Sequence, residues 1–125
     1  MPILQKLLDV RGAISFKEDN YTSIESALLK FFSIFFIKNK LKNANILSVI
    51  VVAPPSLKSC YPCSILRKNG FTFPCITVSD ILVDGTPQNI LRFLIRVKSN
   101  KKVEALYLEE AENLLKNIDK NNIKS

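Results

Sequence analysis

Four arginines, Arg11, Arg67, Arg92 and Arg96, stand in a chain of 125 residues that holds 14 lysines and no histidine. An arginine keeps its charge at any physiological pH, and its planar fork meets a carboxylate through two parallel hydrogen bonds, which an ammonium cannot do. Arg92 lies within Ile90-Leu91-Arg92-Phe93-Leu94, where a cation is costly to bury unless it is paired. The plainer reading of Arg92 is an edge-strand side chain turned to solvent. Arg11 precedes Gly12-Ala13, and the glycine permits close approach of another group to the backbone; the plainer reading is a surface strand residue. Such arginines suit capture of a carboxylate-bearing small molecule and stabilisation of negative charge that develops during reaction.

The absence of histidine removes Ser-His and Cys-His nucleophile pairs and most zinc sites. Cys60-Tyr61-Pro62-Cys63 is a C-x-x-C with a third cysteine at Cys75. The spacing admits redox use, but an odd cysteine count speaks against a disulfide framework and favours plain packing. No second pair completes a tetrahedral metal site.

At 125 residues, 47% hydrophobic and 23% charged, the chain fits one folded domain rather than two, and not a disordered polymer. Its net charge of +7 comes from 18 basic against 11 acidic residues. The lysines are scattered and no nucleic-acid motif accompanies them, so a solvated lysine surface is expected, with no nucleic-acid partner; steering of a small anion by the positive field is the second reading. The longest apolar run, Phe31 to Ile37, is broken by Ser33 and falls well short of the ~18 residues of a membrane span. The first residues lack the signature of a signal peptide, so a cytoplasmic location with no membrane partner is expected.

Elements must place these side chains. Residues 7–16 alternate as a strand. Thr22 and Glu25 have capping-box spacing ahead of a helix to about Leu41, whose wide apolar arc suggests contact with a second subunit as well as a sheet. Ile46 to Val52 is a buried strand. Ser56 can cap a short helix over 57–67 that Pro62 kinks. Further strands are expected at 75–78, 90–98 and 103–108, and the Asn/Lys-rich stretch 116–125 reads as a flexible tail after a domain of residues 1–115. The order β-α-β-α-β-β-β predicts an α+β fold: a mixed sheet with helices packed on one face.

The pieces Arg11-Gly12-Ala13, Tyr61-Pro62-Cys63, Asp80, Val83-Asp84-Gly85, Leu91-Arg92 and Leu106-Tyr107-Leu108 occur in an order that resembles the AroH-type chorismate mutases. Their pattern runs R-G-A-T-T, F-P-A, a glutamate before V-x-G-G, I-R-V and V-Y-L. The resemblance covers roughly residues 8 to 115. It implies a monofunctional, cofactor-free and metal-free isomerase of aromatic amino acid biosynthesis, built as a homotrimeric pseudo-α/β-barrel with active sites between subunits. It implies chorismate as substrate and prephenate as product. By position it implies Arg92, Asp80 and Arg11 as catalytic residues, and Tyr107, Tyr61, Arg67, Thr77 and Leu114 as substrate-binding residues. Asp80 stands where the family has glutamate; its plainer reading is a cap for the following turn, and that of Tyr107 is a half-buried core residue. Ser64, Thr86 and Leu115 depart from the family pattern. The alternative function is a ligand-binding module of the same fold without turnover. A trimeric imine deaminase, which also sets an intersubunit arginine on a carboxylate, is a more distant reading.

Overall fold

The computed structural model describes residues 5–113. Its sheet has five strands in the order β3-β2-β4-β1-β5, formed by β1 (Lys6–Ser15), β2 (Ile46–Ala53), β3 (Cys75–Ser79), β4 (Ile90–Ser99) and β5 (Leu106–Leu108). The inner pairs, β1 with β4 and β2 with β4, run antiparallel. The outer pairs, β2 with β3 and β1 with β5, run parallel. The expected mixed sheet is present, with β4 at its centre.

Side chains alternate along a strand, so β4 sends Leu91, Phe93, Ile95 and Val97 to one face and Arg92, Leu94 and Arg96 to the other. The first set is buried beneath helices α1 (Tyr21–Asn39) and α2 (Pro62–Lys68). Seven of the eight phenylalanines interlock there, with Phe31 stacked on Phe93 at 4.3 Å between ring centroids and Phe32 edge-on to Phe31 at 5.1 Å. The wide apolar arc of α1 needs no second subunit to bury it. Phe32 and Phe36 are met by Phe71, from the segment after α2, at 5.5 and 6.2 Å.

Gly12 faces this helix layer, where a Cβ would lie 2.3 Å from the Phe31 ring. The close approach that the glycine permits is that of α1, rather than that of a ligand.

Element ends differ from expectation in instructive ways. The N-cap of α1 is Asn20, whose side chain accepts from Ser23 N–H at 2.8 Å; Asn is as good a cap as Thr. Glu25 instead accepts from Asn69 Nδ2 at 3.1 Å. Pro62 does not kink α2 but begins it, where its missing N–H costs nothing, so residues 57–61 stay outside the helix and Ser56 caps none. The last strand is shortened to three residues. The backbone of Glu104 is bonded at both N–H and C=O to the buried side chain of Asn39 at 2.8 and 3.1 Å, which fastens the end of α1 to this segment.

Cys63 and Cys75 form a disulfide with 5.7 Å between their Cα atoms, joining the start of α2 to the start of β3. The plain-packing reading is corrected for these two; the odd count leaves Cys60 free. Leu114 and the stretch 116–125 lie outside the described residues. No described helix is long and apolar enough to cross a membrane.

Candidate active site on the open face of the sheet

Arg92 sits on the central strand, so it is not an edge-strand residue. Its neighbours in register are Ala13 on β1 and Val52 on β2, and its side chain rises from the face away from the helices. Asp80 follows β3 directly, its N–H bonded to Ala53 C=O at 2.8 Å. That bond extends the β2–β3 ladder by one residue and sets the Asp80 carboxylate beside Arg92. Oδ2 of Asp80 accepts from Arg92 Nη2 at 2.5 Å, with 31% of the Asp80 side chain and 36% of the Arg92 side chain exposed. Oδ1 accepts from Ile81 N–H at 2.8 Å, so turn capping and pairing with arginine are both roles of this carboxylate.

Tyr107 is the β5 partner of Ala13, which in turn is the β1 partner of Arg92. Tyr107, Ala13 and Arg92 thus form one row across three strands, roughly 10 Å from end to end at the usual strand spacing. Ala13 is fully buried, packed with Ile90 and Ala111, and Tyr107 leans on this small cluster. Arg11 lies on the same face as the partner of Leu94, two cross-strand pairs along from Arg92 and thus the next pair on that face, and is exposed. Four of the expected residues, Arg11, Asp80, Arg92 and Tyr107, therefore share one open face and could grip a small dicarboxylate between two guanidinium groups.

Three others lie elsewhere. Thr77 is in register with buried Val51 and points to the helix side, its hydroxyl 3.2 Å from Cys63 Sγ. Tyr61 precedes α2 and is 76% exposed. Arg67, in the last turn of α2, donates to Ser64 Oγ at 3.1 Å. Tyr61 and Thr77 line one cavity of about 180 Å³ with Pro54, Pro55, Leu57 and Cys60. A larger cavity of about 540 Å³, between the ends of β1 and α1 and the turn at Glu109–Ala111, is lined by none of the expected residues. Neither cavity includes Arg92.

Arg96, the fourth arginine, is matched by Asp9 directly across the β1–β4 ladder, with Nε–Oδ1 at 2.9 Å and Nη2–Oδ2 at 3.2 Å. That hydrogen bond holds the exposed Asp9 carboxyl below its ordinary range and the guanidinium above its own. Sequence alone left Arg96 without a role. Only the antiparallel register, which sets residues 9 and 96 opposite each other, reveals the pair.

The open face also carries apolar side chains. Leu94 is 41% exposed, Ile76 59%, and Ile50 and Val78 are comparably open. With Arg92, they form a surface that mixes charge and hydrocarbon.

The family model for chorismate mutase type I matches residues 7–118. The chain belongs to the type I chorismate mutases. Among solved structures, a chorismate mutase from Clostridium thermocellum superposes with a TM-score of 0.80 at 23% identity, covering 86% of this chain and 99% of that one. The α+β fold is thus that of a chorismate mutase. No curated protein sequence matches. The sheet face that holds Arg92, Asp80, Tyr107 and Arg11 falls wholly inside the matched span, as do Tyr61, Arg67, Thr77 and Leu114.

Proposed function

We propose that this chorismate mutase family member converts chorismate to prephenate at sites formed between the subunits of a homotrimer. The observation that carries the reading is the Arg92–Asp80 pair on the central strand, in one row with Tyr107 and beside Arg11, in a chain of this family. The reaction is a [3,3] rearrangement in which one C–O bond breaks as one C–C bond forms, within a single molecule. It needs neither nucleophile nor base. What lowers its barrier is restraint of the substrate in the compact reactive conformer and a preorganised cation beside the ether oxygen as charge builds there. Arg92, steadied by Asp80, supplies that cation; Arg11 and Tyr107 hold the carboxylates; Asp80 retains lone pairs for the ring hydroxyl.

A site of this kind must exclude water for its charges to act strongly, and the face is open in a single chain. A neighbouring subunit laid on Leu94, Ile50 and Ile76 would bury that hydrocarbon and close the site. It would also bring Tyr61 and Arg67, which in their own chain lie at and on α2, apart from the row of Arg92, Ala13 and Tyr107. The cytoplasm, where aromatic amino acid synthesis draws on chorismate, is the proposed location.

Loss of chorismate absorbance on adding purified protein, with prephenate identified as product, tests the activity. Sedimentation at micromolar concentration tests the assembly. A folded trimer that binds chorismate without turnover would replace the enzyme reading by that of a binding module, and a monomer would remove the intersubunit site.

A further inference from the structure

The turn between β1 and α1 reaches across the helix layer. Both oxygens of Asp19 accept backbone N–H groups some forty residues away, from Lys58 at 2.9 Å and from Ser59 at 3.1 Å. Among the described residues these are the only hydrogen bonds that fasten segment 54–60 to a distant part of the chain. The turn itself is held rigid: Asn20 caps α1, and its Nδ2 donates to Glu18 at 3.0 Å. Two residues after Ser59 comes Tyr61, whose carbonyl accepts the first helical N–H groups of α2, from Ser64 and Ile65, at 3.0 and 3.3 Å. The far end of α2 is tied independently to α1 through Asn69 and Glu25. The near end of α2 is itself bridged to β3 at Cys63, so the Asp19 bonds fasten the segment that leads into it, on the other side of Tyr61, a side chain with almost no packing of its own.

We propose that Asp19 is a positioning residue for Tyr61, holding the 54–61 segment at the height from which the tyrosine enters the neighbouring subunit's site. The inference rests on the intersubunit site proposed above. Asp19 touches no substrate; it acts through the backbone of Lys58 and Ser59. An aspartate suits the task, since one carboxylate can accept two adjacent N–H groups, whereas asparagine would turn a donor toward one of them. The carboxyl is also held below its ordinary range, first by the Ser59 side chain and then by these backbone N–H groups.

The test is a double-mutant cycle on the intact chain. Asp19→Asn and Tyr61→Ala should each raise KM for chorismate, on the order of tenfold for a displaced contact, with kcat much less changed. The double variant should be no worse than Tyr61→Ala alone, and Asp19→Glu, which keeps an accepting carboxylate, should restore most of the loss. Amide hydrogen exchange at Lys58 and Ser59 should speed up in Asp19→Asn. If Asp19→Asn does not fold, Ser59→Pro removes a donor instead of the acceptor and should couple to Tyr61→Ala in the same way. Additive effects of the two changes, or an unchanged KM in a variant whose exchange at 58 and 59 has risen, would overturn the proposal. Failure of the unaltered protein to turn over chorismate would instead sink the activity and the substrate half of this inference. In that case exchange at Lys58 and Ser59, unchanged in Asp19→Asn, would sink the positioning half as well.

Discussion

Asp80 holds Arg92 with one carboxylate oxygen at 2.5 Å while its other oxygen is pinned by the Ile81 N–H at 2.8 Å. The carboxylate is thus fixed to the backbone before it meets the guanidinium, and the pair is oriented without a substrate. Replacing Asp80 by Asn keeps the shape but removes the charge from both contacts. A guanidinium no longer oriented by its counter-charge loses preorganisation, so Asp80→Asn should lower turnover on the order of 10-fold or more, with little change in thermal midpoint because the pair is partly exposed. Asp80→Glu should keep or raise activity. An active and stable Asp80→Asn protein would take Asp80 out of the site.

Arg92 is the residue on which the proposed chemistry depends most. Arg92→Ala should reduce turnover by ~10²–10³, the usual effect of losing one preorganised donor to developing charge, while leaving the protein folded. Arg92→Lys should remain badly impaired, because an ammonium cannot serve an ether oxygen and a carboxylate with one fork. Steady-state kinetics alongside circular dichroism would settle both, and near-normal turnover in Arg92→Lys would refute the assignment.

Gly12 belongs to the fold rather than to the site. A methyl group added there meets the Phe31 ring at 2.3 and 2.8 Å, and Phe31 is fully buried and stacked on Phe93 and Phe35. The ring has no free space to retreat into, so Gly12→Ala should destabilise by about 1–3 kcal/mol, the usual range for overpacking. Chemical denaturation would measure it; an unchanged midpoint would mean that α1 can ride outward.

Acid should weaken the fold through Glu109, Asp9 and Asp19. Lys30 bonds to Glu109, Arg96 to Asp9, and the Ser59 side chain with its neighbouring amides to Asp19; each carboxyl is thereby held below its ordinary value of 4.5, 3.8 and 3.8 respectively. A carboxyl depressed in the folded state contributes stability above its unfolded value, and that stability is lost as pH falls through the folded one. The thermal midpoint should therefore decline as pH drops below the ordinary values, and more shallowly in Glu109→Gln. These groups are exposed, so each contribution is small and should shrink further in salt.

The elements were legible where periodicity was strong. The long helix was visible in the spacing of its phenylalanines, β1 in alternation, and β2 and β4 as apolar, β-branched-rich runs, because burial imposes these patterns. Ends were less so. Two good N-caps, Asn20 and Thr22, compete within three residues, and only the bond to Ser23 distinguishes them. Asn39 shortens β5 from 65 residues away by bonding the backbone of Glu104, and no local pattern announces that. Of the site, the row Tyr107–Ala13–Arg92 could be anticipated through resemblance, whereas Asp19 and the Asp9–Arg96 pair needed the register and the turn in three dimensions. Cys63 and Cys75 were misread because their number argued against pairing, while the packing of α2 against β3 brings them together.

That bridge spans a sequence separation of 12 residues between elements which the phenylalanine core already holds side by side. Its main thermodynamic effect therefore falls on the unfolded chain, whose conformational freedom it restricts, by roughly 3 kcal/mol for a loop of about this length. A sample handled in dithiothreitol and one handled in air would then share a fold and differ in melting behaviour. The redox history of a preparation becomes a property to be specified alongside its concentration.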